Sequence, residues 1–340
     1  MNSLKKSLLN LFIKFIQHDL VQKQLDFEFN LRNKKHHINY NLPTPYKEIN
    51  SYSKDLTKGT GVVFITGRFR SGSTLLWNIF RQLETFTAYY EPFNERRWFD
   101  DSSRGEHVDS THIGVNDYWK EYEGLSHLKN LYNENWIRYE LLMDSNSWNP
   151  SMVAYVDYLI NHARGTPVLQ FNRIDFRLPW FKHYYPCSNI IHLYRNPRDQ
   201  WLSFLKDKSL MNKTDVERTY IDSFYLDIWC NDLAKFFPFL SISETPHPYQ
   251  RFYYLWKLSY LYGKKYSDYN ICFEDLATNP RDTLDKLFTS ININIEIPWN
   301  NVLNIVHKPQ IGKWKSYADN SWFSHHEIIC ESNLSSHLEE

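Results

Sequence analysis

The stretch Gly61-Val62-Val63-Phe64-Ile65-Thr66-Gly67-Arg68-Phe69-Arg70-Ser71-Gly72-Ser73-Thr74-Leu75-Leu76 determines how the rest of this chain is interpreted. An apolar run of strand length leads into a glycine-containing loop, and the loop leads into apolar residues with helical spacing. A helix N-terminus carries unpaired N–H groups and a partial positive charge, so a loop of this kind binds anions. The sequence therefore predicts a phosphate-binding loop at 67–74.

The loop departs from the common nucleotide-binding pattern G-x-x-x-x-G-K-[ST] at one position, because Ser73 stands where that pattern has lysine. Nucleoside triphosphatases use this lysine on the β- and γ-phosphates. The cation here is Arg70, whose planar guanidinium binds two oxygens of a fixed oxyanion at once. A nucleotide kinase or NTPase is therefore the disfavoured alternative, and a nucleotide-binding module without activity is the non-enzymatic one.

Strand and helix patterns alternate along the rest of the chain. We predict an α/β fold, with a P-loop NTPase-like parallel sheet flanked by helices and ligands at the carboxyl ends of the strands. Long helices are expected at 215–236 and 248–265. The expected strands are 61–66, 87–90, 167–171, 189–194 and 269–273.

The predicted domains are an N-terminal helical extension and linker at 1–58, an α/β domain at 59–330 and a tail at 331–340. An inserted helical cap is expected at 97–164. Residues 4–20 have the spacing of an amphipathic helix, for which docking on the protein itself or on a partner subunit and peripheral membrane contact are both open. The oligomeric state is left open.

The charge balance and the lengths of the apolar runs bear on which partners the chain has. The 340 residues contain 39 Lys plus Arg and 39 Asp plus Glu, so net charge does not steer the chain to nucleic acid. No apolar run reaches the roughly 20 residues of a membrane span. The four cysteines lie far apart without a CxxC pair, which is typical of reduced thiols, and we expect a cytoplasmic protein.

A second anion motif is expected at Leu193-Tyr194-Arg195-Asn196-Pro197-Arg198-Asp199, together with Ser203. Arg195 would leave the end of a buried strand, and Ser203 would lie on the following helix. The cation and the hydroxyl can then converge on one phosphate. Arg198 and Asp199 are expected to form a local ion pair.

The two motifs together resemble those of the sulfotransferases that use 3′-phosphoadenosine 5′-phosphosulfate (PAPS). The resemblance implies that Arg70 and the amides of Ser71, Gly72, Ser73 and Thr74 hold the 5′-phosphosulfate. It implies that Arg195 and Ser203 hold the 3′-phosphate. A late loop at 307–315 is similar to the family's loop that closes over the donor, and it implies that Lys308 also contacts the 3′-phosphate. The products would be a sulfate ester and 3′,5′-ADP, and no metal is expected.

Glu91 follows the second strand in Tyr89-Tyr90-Glu91-Pro92-Phe93. A base must take the proton of the acceptor hydroxyl, and Glu91 is the candidate; a glutamate in this region has that role in the carbohydrate and tyrosylprotein branches of the family. The alternative is a scaffold ion pair with an arginine such as Arg70. Four histidines are kept as other candidate bases: His107, His112, His162 and His183.

The remaining assignments stay open. Gln170 and Arg173 follow the third strand and are candidates for the sulfonate, the acceptor or the scaffold. Leu75 replaces an adenine-stacking tryptophan of the cytosolic branch, so the adenine contact is undetermined. We favour a carbohydrate or glycolipid acceptor. The four tryptophans of the cap could stack on sugar rings or belong to the hydrophobic core. They are Trp98, Trp119, Trp136 and Trp148.

Overall fold

Five parallel strands form one sheet in the order β2-β3-β1-β4-β5. A computed structural model describes Gly59, residues 61–307 and residues 309–338; the predicted extension at 1–58 and Lys308 lie outside these residues. The strands are β1 (Val63–Thr66), β2 (Phe86–Tyr90), β3 (Thr166–Phe171), β4 (Asn189–Tyr194) and β5 (Tyr269–Cys272). The predicted α/β fold with a parallel sheet is confirmed.

Helices cover the sheet, which is why β1 reads as a continuous apolar run with every residue buried. They are α1 (Ser73–Arg81), α2 (Pro150–Asn161), α3 (Leu178–Tyr184), α4 (Pro197–Phe204), α5 (Val216–Thr219), α6 (Leu226–Leu233), α7 (Pro248–Tyr266), α8 (Phe273–Thr278), α9 (Pro280–Ser290), α10 (Trp299–Ile305) and α11 (Asn320–Leu338). None of these described helices is long and apolar enough to cross a membrane.

The cap between β2 and β3 is less helical than predicted. It contains α2 and three short 3₁₀ helices, Lys120–Tyr122, Ser126–Asn130 and Glu134–Ile137. Glycines with positive φ at 105, 114 and 124 interrupt the chain where a helix would have to continue. Buried aromatic packing replaces regular structure, and Trp98 and Trp136 are 3% and 2% exposed.

One other predicted boundary is wrong. The helix expected at 215–236 is split into α5 and α6, because the Asp222 carboxylate accepts the N–H groups of Phe224, Leu226 and Asp227 and starts a new helix there. Residues 331–338 of the predicted tail lie in α11, and Cys330 and Leu334 of this helix are buried. All described residues belong to one unit, Asp55–Glu340.

The strand register determines which loops meet. Thr66 pairs with Phe171 on one side and with His192 on the other, so β1 and β3 end at the same level and β4 extends two residues beyond them. Tyr90 pairs with Gln170, which places the residues after β2 beside those after β3. Tyr194 likewise pairs with Cys272. The predicted anion loop, Glu91 and Arg195 therefore leave the same edge of the sheet.

A stacked histidine pair joins α7 to α11 and makes stability depend on pH. The His247 and His326 rings are 4.0 Å apart. Burial lowers the pKa of His247 to about 3, with further lowering by His326 and Arg251. Burial and then His325 lower the pKa of His326 to about 4, against an opposing effect of Glu327. The unfolded chain therefore binds more protons than the folded chain below the ordinary histidine pKa of 6.5.

We expect the free energy of unfolding to be fully present above pH 6.5 and to fall as the pH drops towards 4. Each fully shielded histidine would contribute about 1.4 kcal/mol per pH unit, and solvent screening of these partly exposed rings reduces the loss to about 1 kcal/mol by about pH 5. Urea unfolding at a series of pH values measures how the free energy of unfolding depends on pH. His326→Gln should flatten the slope, whereas His127→Gln, at an exposed ring, should leave it intact. An unchanged slope in His326→Gln would contradict the assignment.

Candidate active site

The predicted anion loop ends in a left-handed glycine that begins α1. Gly72 has φ 99°, and no side chain caps the helix. A Cβ at this position would lie 2.2 Å from the Phe273 ring, so only glycine fits. Gly72, Ser73 and Thr74 line a cavity, and the first-turn N–H groups of a helix have no partners within it. The loop therefore presents backbone donors to an anion in the cavity.

The side chain at the lysine position points to the neighbouring strand. Ser73 Oγ donates to Asn172 Oδ1 at 2.9 Å and accepts from Gln170 Nε2 at 3.1 Å. Gln170 is completely buried and is thus part of the scaffold, which answers one open question of the sequence. Thr74 Oγ1 lies 3.2 Å from the Tyr90 hydroxyl, and Ser71 Oγ is buried without a hydrogen-bond partner among the described residues. Ser73 can therefore contribute its amide to the site more readily than its hydroxyl.

Arg70 connects the loop to two other parts of the site. It is a non-glycine residue with φ 66°, and its guanidinium lies 3.5 Å from the Asp109 carboxylate of the cap. Its carbonyl oxygen accepts a hydrogen bond from Arg195 Nη1 at 3.2 Å. The side chain of Arg70 is 27% exposed, so it remains accessible to a ligand in the cavity.

Arg195, which belongs to the second predicted anion motif, contacts both motifs. The same Nη1 is 3.3 Å from Ser203 Oγ, and the guanidinium packs over the Phe273 ring at 4.8 Å. Burial lowers the pKa of Arg195, with Glu274 and Asp199 opposing, yet an arginine keeps its charge near neutral pH. Its Nε is buried without a hydrogen-bond partner within the described part of the chain. The predicted convergence of Arg195 and Ser203 is present in this geometry.

The predicted ion pair between Arg198 and Asp199 is wrong. Arg198 pairs with Glu327 of α11 at 2.6 Å. Asp199 instead accepts the backbone N–H groups of Gly312 at 2.7 Å and Trp314 at 3.0 Å. Adjacent residues at a helix start point in different directions, so each finds a partner from a distant segment. Asp199 thereby holds Gly312 and Trp314 of the late loop beside α4.

Glu91 is buried in a polar network rather than paired with Arg70. Its carboxylate accepts from Asn172 Nδ2, from Asn94 Nδ2 at 2.6 Å and from Arg173 Nη1 at 2.8 Å. Glu91 is 4% exposed, and its φ of 38° is unusual for a non-glycine residue. Such a backbone persists where surrounding contacts determine it, and strained residues cluster at functional sites.

Arg173 is the cation of this network. Its Nη2 lies 2.7 Å from Glu95, and its guanidinium packs on the rings of Phe69 at 5.0 Å and Tyr225 at 5.7 Å. Burial alone would lower the pKa of Arg173, but the charges of Glu91 and Glu95 raise it above its ordinary value. Arg173 thus holds Glu91 in place while the carboxylate still lines the cavity.

The cavity has a volume of about 720 Å³ and brings most of the predicted residues together. It is lined by Arg70, Gly72, Ser73, Thr74, Glu91, Arg195 and Ser203, and also by His107 and His112, whereas Ser71, His162 and His183 are not among its lining residues. Of the cap tryptophans, Trp98 alone contributes to the lining. Within the described residues, no group of three acidic, histidine or cysteine side chains is placed to hold a metal.

Sequence reasoning missed several residues of the cavity. Asn94, Asn172 and Phe273 line it, and so do Asp109 and Tyr118 of the cap. Asn172 and Phe273 follow β3 and β5, so their position after a strand was an available signal. The cap residues had no such signal, because their segment lacks a regular pattern.

The parallel sheet, with a cavity at the carboxyl ends of its strands and a glycine loop that begins α1, defines an α/β protein with a candidate ligand site at that edge. The model of the Sulfotransferase family matches residues 62–297, which is most of the chain. The chain belongs to this family, so the family resemblance of its motifs is confirmed.

Several solved structures are similar to this chain, whereas no curated protein matches it. A sulfotransferase domain from the curacin biosynthetic pathway is 16% identical, with a TM-score of 0.43, covering 82% of this chain and 98% of its own. A sulfotransferase from Mycobacterium avium is 12% identical, with a TM-score of 0.43, covering 86% and 80%. One from Alicyclobacillus acidocaldarius is 15% identical, with a TM-score of 0.37, covering 80% and 92%.

Proposed function

We propose that this protein transfers the sulfuryl group of PAPS to an acceptor hydroxyl. The observation that carries the proposal is the position of Arg195, whose Nη1 contacts both the Arg70 carbonyl and the Ser203 hydroxyl. PAPS carries anionic groups at two positions of one ribose, and the two anion motifs meet at this arginine. A nucleoside triphosphate has no 3′-phosphate for the second motif to bind.

The residues present fit such a donor. Arg70 and the N–H groups of 71–74 would hold the 5′-phosphosulfate, and Arg195 with Ser203 would hold the 3′-phosphate. Arg195 Nε, unpartnered among the described residues and on a residue that lines the cavity, supplies a further donor next to these groups. Lys308 is proposed as an additional contact to the 3′-phosphate. We propose no metal.

Glu91 acts as the base in this proposal. It takes the proton of the acceptor hydroxyl while the hydroxyl oxygen forms a bond to sulfur, and the bond between sulfur and the bridging phosphate oxygen breaks. The electron pair of that bond leaves on the phosphate of 3′,5′-ADP, where Arg70 and the loop N–H groups balance the charge. Arg173 and two asparagines keep the Glu91 carboxylate in position.

For the acceptor, we propose a hydroxyl of a carbohydrate or glycolipid. Aromatic rings of Phe69, Trp98 and Tyr225 line the cavity together with the polar side chains of Asn94 and Glu95, a combination that suits a polyhydroxylated ring. We propose a cytoplasmic location because the cysteine pattern is that of reduced thiols.

A thermal-shift panel tests the donor class. We expect 3′,5′-ADP to raise the Tm more than ADP or ATP does, and Mg²⁺ to make no difference, since a ligand stabilises the fold according to its affinity. Absence of stabilisation by 3′,5′-ADP would refute the proposal. Stabilisation by ATP that requires Mg²⁺ would favour the kinase or NTPase class instead.

The ion pair between Arg70 and Asp109 predicts a variant that binds the donor more tightly. The phosphosulfate would compete with the Asp109 carboxylate for Arg70 and would be repelled by it. Because the pair is partly exposed, it is worth less than about 1 kcal/mol, and Asp109→Asn should lower the Kd for PAPS about two- to five-fold.

Titration calorimetry with PAPS measures the effect of Asp109→Asn. The matched control is Asp117→Asn, which removes a cap carboxylate paired with Arg81 outside the cavity and should leave the Kd unchanged. Weaker binding of PAPS to Asp109→Asn would show that Asp109 supports the site rather than competing for it.

A further inference from the structure

Three cap residues, Asp109, His112 and Tyr118, are connected to the anion loop. Asp109 pairs with Arg70, and the His112 N–H donates to the Asp109 carbonyl at 2.9 Å. The His112 ring lines the same cavity as Arg70 and Glu91. The charged groups acting on this ring are Asp109, Arg70 and Glu91, so His112 is a neighbour of both the loop and the proposed base.

The Tyr118 hydroxyl determines the tautomer of His112. Its oxygen accepts the Asp109 N–H at 3.0 Å and lies 2.5 Å from His112 Nδ1. Burial raises the pKa of Tyr118 to about 12, so the hydroxyl keeps its proton at neutral pH. Leaving a buried O–H unpaired is costly, and Nδ1 is its acceptor here. Nδ1 therefore carries a lone pair, and the ring proton of neutral His112 is on Nε2.

His112 is neutral near pH 7. Burial lowers its pKa and Arg70 lowers it further, although Asp109 and Glu91 oppose this. Among the hydrogen bonds of the described residues, the His112 ring takes part only through Nδ1, which leaves Nε2 for a ligand. A partly buried ring on the cavity wall thus offers an uncharged N–H donor that the fold itself does not use.

We infer that His112 is a catalytic residue that donates a hydrogen bond from Nε2 to an oxygen of the sulfonate group of PAPS. This inference rests on the proposed function. The bond orients the sulfonate between the acceptor hydroxyl at Glu91 and the departing phosphate at Arg70. The proton stays on Nε2 throughout. A neutral donor orients the group without adding a further cation that would retain 3′,5′-ADP after transfer.

Comparison of two nucleotides tests this contact without knowledge of the acceptor, because PAPS and 3′,5′-ADP differ only in the sulfonate group. His112→Phe keeps a ring against Tyr90 and Tyr118 but removes both nitrogens. We expect its Kd for PAPS to rise about ten-fold and its Kd for 3′,5′-ADP to stay within about two-fold, as measured by calorimetry.

Conservative variants sharpen the test. His112→Gln carries an amide N–H near the position of Nε2 and should restore most of the PAPS affinity, whereas His112→Asn reaches only the position of Nδ1 and should not. His127→Gln, at an exposed cap histidine outside the cavity, is the control. Equal weakening of both nucleotides, or no change for PAPS, would overturn the inference. If the wild-type protein binds neither nucleotide, the proposed function fails and the inference with it.

NMR spectroscopy tests the tautomer of His112 directly. In NMR spectra of protein with isotope-labelled histidine, His112, assigned by its loss in His112→Gln, should show a protonated Nε2 and an unprotonated Nδ1 at neutral pH. Tyr118→Phe removes the hydroxyl and should shift the population towards protonated Nδ1. A protonated Nδ1 in the wild-type protein would overturn the assignment.

Discussion

Glu91→Gln is expected to lower the rate of sulfuryl transfer about 1,000-fold while leaving the affinity for 3′,5′-ADP within about two-fold. Glutamine has nearly the same shape as glutamate but cannot take the proton of the acceptor hydroxyl. Incorporation of radiolabel from PAPS into a small-molecule extract that contains carbohydrates and glycolipids measures transfer. Calorimetry with 3′,5′-ADP measures binding.

The matched comparison for Glu91→Gln is Glu95→Gln. Both variants remove a carboxylate from Arg173, at 2.8 Å and 2.7 Å, but Glu95 is the more exposed of the two partners. If Glu91 is the base, the rate of sulfuryl transfer should fall strongly in Glu91→Gln and at most about ten-fold in Glu95→Gln. Equal losses would mean that the ion-pair network, and not proton transfer, limits the rate. Unchanged transfer in Glu91→Gln would remove Glu91 from the role.

Arg195→Ala is expected to weaken the binding of 3′,5′-ADP by more than about 100-fold. Each hydrogen bond between a guanidinium and a phosphate contributes about 1.5–3 kcal/mol, and two such bonds would be lost. ADP, which lacks the 3′-phosphate, should lose much less affinity. Calorimetry with both nucleotides measures the difference between them.

Arg198→Ala is the control for Arg195→Ala. It removes an arginine three residues further along the chain, in the first turn of α4, which forms an ion pair with Glu327, so the substitution should change stability but not nucleotide affinity. A similar loss for ADP and 3′,5′-ADP in Arg195→Ala would place the contact elsewhere than at the 3′-phosphate. Circular dichroism checks that the partly buried Arg195 can be removed without unfolding the protein.

The elements that could be predicted are those whose signal is local. The apolar run of β1, the glycines of the anion loop and the proline at the start of α4 act through their nearest neighbours in the chain. The strands were therefore predicted nearly in full. The cap was not, because its glycine turns and buried aromatic side chains carry no helical or strand period.

The partners of the charged groups could not be predicted. The sequence suggests Arg70 as a scaffold partner of Glu91, yet the partner is Arg173, because β2 lies beside β3 and β1 lies beyond β3. The sequence likewise predicts an ion pair of Asp199 with Arg198, yet Asp199 accepts backbone N–H groups of the late loop. In both cases the correct partner lies far away in sequence.

The sequence by itself determined the strand–loop–helix unit at 61–76, the second motif at Arg195 and Ser203, and a glutamate after β2. Turn conformation and strand burial depend on consecutive residues, so these features are encoded locally. The tertiary structure decided that Arg195 contacts the Arg70 carbonyl, that Arg173 holds Glu91, and that the cap brings His112 into the cavity. These contacts depend on the strand order and on an irregular cap, which only packing over the whole sheet can determine.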